Sequence, residues 1–242
     1  MAQLSYQNGD MLAAFGKSGY STDVVVDLGS IAQLQVPGAS QINFSGVSSA
    51  LTSVFGGTSG LYWAAFGVND TSGGTGTYNP AVTQSDPNTV WATLGRSNPG
   101  IQTAAPFVSG NSGNQNNALG DIQTIAYLAA NPSFANNLSP NIASVSSSSQ
   151  LNGFTPQMLN GDNVGNLSGD WAYNMLNNNS GTSDLYQSNP NNVSTTKQQY
   201  LGNFVLDGAG NFSFNPAPVP EPSTLALIGG GLMGLLVFRR RK

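Results

Sequence analysis

The sequence predicts a mainly β protein: a β-sandwich-like body with one or two short helices, followed by a C-terminal transmembrane helix. Three observations support this fold class. Short apolar runs rich in β-branched and aromatic residues alternate with Gly, Ser, Asn and Asp. Two other segments place apolar residues at helical spacing. A single uncharged run precedes four terminal cations.

The strand candidates are short runs that end at turn residues. Met11–Phe15 and Ser21–Leu28 are separated by a Gly-Lys-Ser-Gly turn. Leu61–Val68 and Thr89–Leu94 are aromatic-rich runs of similar length. Their lengths and residue types are those that strands prefer.

The most clearly marked hairpin lies near the end of the body. Tyr200–Leu206 and Asn211–Phe214 flank the segment Asp-Gly-Ala-Gly at 207–210. The two runs alternate between apolar and polar residues, and the connecting segment consists of residues that favour tight turns. We therefore predict two adjacent antiparallel strands here.

Two helices are predicted from apolar spacing and end signals. Gly46–Phe55 has Ser45 as a candidate N-cap and ends before a glycine pair that begins at Gly56. Asp121–Ala130 ends before an Asn-Pro pair. The intervening stretches 69–88 and 95–117 are rich in Gly, Ser, Thr and Asn, so we expect loops there.

The tail divides the chain into four predicted parts. Residues 1–215 form the β-rich body, 216–222 a proline-rich linker, 223–238 a transmembrane helix and 239–242 a basic cytoplasmic stop. Each Lys or Arg near the bilayer centre costs about 2.5–3.5 kcal/mol, so four cations stop translocation. The 16 apolar residues are fewer than the roughly 20 that span a bilayer comfortably. The length therefore favours a temporary anchor.

The tail resembles the PEP-CTERM sorting signal of Gram-negative bacteria. Three parts occur in the family's order, namely a Pro-Glu-Pro motif, an apolar stretch with glycines, and a basic end. The motif is Pro220, Glu221 and Pro222, and the basic end is Arg239, Arg240, Arg241 and Lys242.

This resemblance implies that the chain is recognised by an exosortase, a membrane cysteine peptidase that cuts at or near the Pro-Glu-Pro motif. The three motif residues would be recognition residues and not catalytic ones. The implied localisation is export, a transient stay in the inner membrane, and then the cell surface or the extracellular space. Family members commonly accompany exopolysaccharide and biofilm matrix. The alternative is an uncleaved single-pass anchor.

The N-terminus departs from what export requires. A signal peptide has a basic region, an apolar region and a small-residue cleavage site, and Met1–Asn8 has none of these. The first cation is Lys17. We interpret the start as trimmed or wrongly assigned. The alternative is that the protein is never exported.

Composition excludes several function classes. The sequence has no cysteine and no histidine, which excludes disulfides, thiolate zinc sites, cysteine nucleophiles and Ser-His-Asp triads. Residues 1–219 have ten aspartates against Lys17, Arg96 and Lys197, which gives a formal charge of −7. Nucleic acid binding needs a basic surface, so nucleic acid is not an expected partner. We expect a non-catalytic protein without a cofactor.

Two weaker site candidates remain. Asp and Asn oxygens in glycine-rich loops suit calcium, either at 160–163 with Asp170 or at Asp207 with Asn211, although a hairpin turn is a sufficient explanation for the second. Four aromatic residues are candidates for a sugar-stacking platform, although in strands such side chains more often pack in the core. They are Tyr62, Trp63, Trp91 and Trp171.

The sequence therefore predicts an exported, non-catalytic surface or matrix protein that acts in adhesion or in an exopolysaccharide biofilm matrix. Its expected partners are an exosortase, the membrane through the C-terminal helix, and either exopolysaccharide or other copies of the chain. A carbohydrate-binding module displayed on the same tail is the alternative.

Overall fold

The structure is a computed structural model that describes residues 4–69, 89–96, 100–102, 112–146, 181–188 and 199–218. These ranges contain ten strands and three helices. In chain order the strands are β1 (Asp10–Lys17), β2 (Thr22–Ser30), β3 (Ile42–Phe44), β4 (Leu61–Asn69), β5 (Thr89–Gly95), β6 (Ala135–Ser139), β7 (Ile142–Ser146), β8 (Gly181–Ser188), β9 (Gln199–Leu206) and β10 (Phe212–Pro216). The helices are α1 (Ile31–Leu34), α2 (Val47–Phe55) and α3 (Ser112–Ala130).

All ten described strands belong to one sheet, in the order β3-β10-β9-β8-β5-β4-β1-β2-β7-β6. Every described pair of neighbouring strands is antiparallel. The mainly β prediction is therefore confirmed. The two layers expected of a sandwich come from opposite parts of one continuous sheet and not from two separate sheets.

Aromatic contacts show that this sheet curls upon itself. Strands β10 and β1 are five positions apart in the sheet, which in a flat sheet corresponds to about 24 Å. The ring centroids of Phe15 on β1 and Phe212 on β10 are nevertheless 5.3 Å apart, edge to face. Trp63 on β4 also lies 5.3 Å from Phe212. The β3–β10 end of the sheet therefore faces β1 and β4 across an apolar interior.

Two helices cover opposite sides of the curled sheet. Helix α2 contacts β2 and β7, and Ser48 at its N-terminal end donates a hydrogen bond to the Ala209 carbonyl at 2.6 Å. It therefore bridges the gap between the two ends of the sheet. Helix α3 packs on the outer face against β4, β5, β6 and β7 and buries Ile122, Ile125 and Ala129 there.

The helix predictions are correct in position but wrong in two details. Helix α2 begins after Gly46, which has φ 83° and makes no side-chain cap, so the predicted Ser45 cap is wrong. A left-handed backbone favours glycine at that position. The predicted stop at Gly56 is confirmed. Helix α3 starts at Ser112 and not at the predicted Asp121. The sequence does not indicate this earlier start, because the first half of the helix is polar and shows no apolar spacing. Residues 112–117 are therefore not a loop.

The strand predictions succeed where apolar residues alternate. The four early runs correspond to β1, β2, β4 and β5, and the closing hairpin to β9 and β10. Strands β3, β6, β7 and β8 are missed because they are short or rich in Ser, Asn and Gln. The predicted loop at 69–88 begins one residue too early, because Asn69 still belongs to β4. The rest of this prediction, 70–88, lies outside the described residues.

Within the described ranges, no helix has both the length and the apolar character that crossing a membrane requires. The predicted transmembrane segment 223–238 lies outside the described residues. The same is true of the motif at 220–222 and of the basic end at 239–242.

Candidate functional site

The last residues of the body are tied to two other parts of the chain. Ala217 directly follows β10, and its N–H donates to the Leu201 carbonyl at 2.8 Å. Its carbonyl accepts a hydrogen bond from the Gly38 N–H at 2.9 Å. We call Gly38, Leu201, Gly202, Pro216 and Ala217 the tail root. The start of the tail is therefore fixed to β9 and to the loop between α1 and β3.

Gly202 makes this close arrangement possible. It lies opposite Pro216 in the β9–β10 ladder and has φ 147°. A Cβ atom at this position would clash with the Asn215 carbonyl oxygen and with the Phe214 ring. Glycine inside a strand often marks such a close approach of another backbone. The end of β10 can lie against β9 here because Gly202 has no side chain.

A row of polar side chains links the tail root to the middle of the sheet. Arg96 after β5 donates to Asp184 on β8, with Nη2···Oδ1 at 2.6 Å. Arg96 and Asn203 both donate to the Tyr200 hydroxyl, at 3.5 and 3.3 Å. Asn215 donates to Asn203 at 3.1 Å. The row connects four neighbouring strands and reaches the residue before Pro216.

The ion pair in this row is shielded from water. The Asp184 side chain is fully buried, and the Arg96 side chain is 11% exposed. The hydrogen bond to Asp184 raises the pKa of Arg96 further above its usual value. Removing one partner of a buried pair leaves an uncompensated charge, which is strongly destabilising. We therefore assign this pair a positioning role for the strands that hold the tail root.

A second titratable cluster lies on β1 and β2. Asp10 accepts a hydrogen bond from the Gln7 N–H, and Asp27 accepts one from the Gly29 N–H, each at 2.8 Å. Burial raises the pKa of Asp27 to about 6, and the nearby Asp10 adds to this effect. Burial, together with Asp10, also raises the pKa of Tyr6. Folding therefore favours the protonated form of Asp27.

The calcium candidate at Asp207 is occupied by turn hydrogen bonds. Its Oδ1 accepts from the N–H groups of Ala209 and Asn211, and its Oδ2 accepts from the Asn211 side chain. The hydrogen bonds from Asn211 lower the pKa of Asp207. These contacts favour the hairpin-turn interpretation. The other candidate, 160–163 with Asp170, lies outside the described residues.

Across the described part of the chain, no group of three or more His, Cys, Asp or Glu side chains is placed to hold a metal ion. The aromatic candidates lie in the core. Tyr62, Trp63 and Trp91 are at most 5% exposed, and the Trp91 indole N–H donates to Gln187 at 3.0 Å. The prediction of a sugar-stacking surface platform is therefore wrong for these three residues. Trp171 lies outside the described residues.

A family model described as the PEP-CTERM protein-sorting motif matches residues 218–242. The chain therefore carries a PEP-CTERM sorting motif at its C-terminal end. The motif implies export through the membrane to the cell surface or extracellular space, with processing by an exosortase. The match begins directly after Ala217, the last residue of the tail root. No curated protein matches the chain, and no solved structure does.

The sequence pattern identified the sorting motif but not the residues that fix the chain at Ala217, just before it. The roles of Pro220, Glu221 and Pro222, and of the four terminal cations, stay predictions. Gly38, Leu201 and Ala217 carry no sequence signal, because they act through backbone hydrogen bonds. Gly202 gave a weak signal as a glycine inside a predicted strand.

We predict that Gly202→Ala lowers the free energy of unfolding of this protein by at least about 2 kcal/mol, because overpacking adds to backbone strain. Gly208→Ala is the matched control in the same hairpin, since a Cβ at Gly208 meets nothing within 4 Å. The measurement is urea unfolding followed by tryptophan fluorescence. Equal losses for the two variants would contradict the assigned role of Gly202.

We predict that Asp27 makes the body less stable at neutral pH. Its folded pKa of about 6 exceeds the unfolded value of about 3.9. The folded state therefore binds more protons between these values, and its stability falls as pH rises through them. Asp27→Asn should remove this dependence and stabilise the protein at about pH 7 by about 1–2 kcal/mol.

The measurement is the free energy of unfolding in urea as a function of pH for the parent and Asp27→Asn. The control variant is Asp207→Asn, because the pKa of Asp207 is lowered. A lowered pKa contributes stability that is present at neutral pH and lost in acid, so this control should have the opposite sign. Parallel pH profiles for the parent and Asp27→Asn would refute the prediction.

Proposed function

We propose that this protein is a non-catalytic component of the extracellular matrix that acts in adhesion or in an exopolysaccharide biofilm. The match of residues 218–242 to the sorting motif is the observation that carries the proposal. The absence of His and Cys from the sequence and the small share of charged residues support a structural role. Neutral hydrogen-bonding side chains suit contact with polysaccharide or with other copies of the chain.

In the proposed sequence of events, the apolar segment 223–238 first holds the chain in the inner membrane. The cations at 239–242 stay on the cytoplasmic side, as the positive-inside rule expects. The exosortase then recognises Pro220, Glu221 and Pro222 and cuts at or near them. The body leaves the membrane when the apolar segment is removed.

The position of the motif supports release of an intact body. The last strand of the described sheet, β10, ends at Pro216, and the last described anchor to the body is Ala217. The motif starts three residues later, at Pro220. Cleavage there removes no residue of the two described cores. The released body therefore keeps the contacts that fold it.

The carbohydrate-binding alternative is weakened by the buried positions of Tyr62, Trp63 and Trp91. Sugar rings stack on aromatic faces that are open to solvent, and these three side chains are enclosed in the cores. Trp171 is the remaining residue of the proposed platform. Binding that depends on Trp171 would favour this alternative.

We predict that the extracellular form of the protein ends near Pro222 and that Glu221→Ala prevents this processing. The variant should stay in the membrane fraction as a chain ending at Lys242. Mass spectrometry of the C-terminus, in membrane and extracellular fractions, measures both. Gly208→Ala, which changes an open turn position outside the motif, is the control and should be processed normally. A parent protein found full-length and confined to membranes would instead support the uncleaved anchor.

We predict that the mature protein from the extracellular fraction either binds exopolysaccharide from the same cells or self-associates. Cosedimentation with the polysaccharide and analytical ultracentrifugation of the protein alone measure the two cases. Binding that is lost in Trp171→Ala, with folding retained, would indicate a carbohydrate-binding module. A monomer that binds none of the polysaccharide would contradict the matrix role.

A further inference from the structure

We propose that the loop 35–41 beside the tail root is the surface that faces the lipid headgroups while the protein is uncleaved. This inference rests on the proposed insertion of segment 223–238. It adds an orientation of the folded body, because the end that contains the tail root would lie against the exterior surface of the membrane.

The connection between body and apolar segment is short. Ala217 is the last residue anchored to the body, and the apolar segment begins at Ser223. Six residue steps span at most about 22 Å even when fully extended. Part of this length lies within the headgroup layer, which is about 5–8 Å deep on each side of a bilayer. The tail root must therefore lie close to the membrane surface.

The connection is also fixed in direction at its start. Ala217 is hydrogen-bonded on one side to Leu201 and on the other to Gly38, so the chain cannot turn freely relative to the body before Pro218. Three of the next five residues are Pro218, Pro220 and Pro222. Proline restricts its own φ and the conformation of the preceding residue, so such a connection allows little reorientation.

The loop beside the tail root has the chemistry of a membrane-facing surface. Val36 is 51% exposed, and its neighbours Pro37 and Gly38 are exposed as well. Gly38 donates directly to Ala217, so this loop borders the point where the chain leaves the body. An exposed apolar side chain next to the exit of a membrane tail is well placed to contact the headgroup layer.

Charge distribution supports the same orientation. The body has a formal charge of −7, which anionic lipids repel. The sequence between Asp27 and Asp70 nevertheless has no charged residue, and this stretch contains the whole loop 35–41. Exposed charge lies at the opposite end of the β9–β10 hairpin, where Asp207 begins the turn. The loop 35–41 itself therefore carries no charge that anionic lipids would repel.

The experiment uses single cysteines in the full-length chain, which has none of its own. Val36→Cys places a probe in the loop 35–41. Ser59→Cys places one at an exposed position beside Thr58, which bonds to Gly208 in the far turn. Leu232→Cys lies within the apolar segment and reports tail insertion independently. Each variant is labelled with bimane and reconstituted in two sets of phosphatidylcholine vesicles, which contain lipids brominated near the headgroup or lipids brominated deep in the acyl chains.

We expect the headgroup-brominated lipids to quench the probe at position 36 at least twofold more than the probe at position 59, and the chain-brominated lipids to quench the probe at position 232. Equal quenching at positions 36 and 59, or greater quenching at 59, would overturn the proposed surface while leaving the proposed tail insertion intact. An unquenched probe at position 232 would refute tail insertion and the surface together. Circular dichroism of each labelled variant confirms that the body stays folded.

Discussion

The closure of the curled sheet around Phe212 is the constraint on which the rest of the described structure depends. Phe212 stacks on Phe204 with ring centroids 5.3 Å apart and meets Phe15 and Trp63 edge to face. Aromatic pairs of this kind contribute about 0.5–1.5 kcal/mol each beyond the area they bury. Since the chain has no cysteine, no disulfide supports this closure. Packing between distant strands holds the two ends of the sheet together.

This closure also sets where the tail leaves the body. Phe212 begins β10 and the tail root follows its other end, so the strand that closes the interior is the strand that leads to the sorting motif. Gly202 and the polar row from Arg96 to Asn215 keep that strand end in register with β9. The core therefore fixes the position of Ala217, where the chain leaves the body. Removal of the motif leaves the core complete.

Export and release place different demands on this chain. In the proposed release the apolar segment is removed, whereas the body must stay folded outside the cell without metal or disulfide support from Cys or His. The body is kept folded by two apolar cores on opposite faces of one sheet. The buried Arg96–Asp184 pair, the buried Asp10 and Asp23, and the half-buried Asp27 place ionisable groups beside these cores. They make the stability of the body sensitive to substitution and to pH.

The sequence by itself determined the sorting tail, the mainly β class and the closing hairpin. These features follow from local patterns, because the motif is contiguous and alternation marks strands with one apolar face. Tertiary structure decided the single curled sheet, the polar strand β8 and the tail root. Strand β8 contains Asp184 and Gln187 and is stabilised by pairing with β5, whose residues are far away in the chain. Gly38 and Leu201 hold Ala217 through backbone atoms. Such long-range strand pairing and backbone hydrogen bonding leave no pattern in the amino-acid sequence, so only the folded chain shows them.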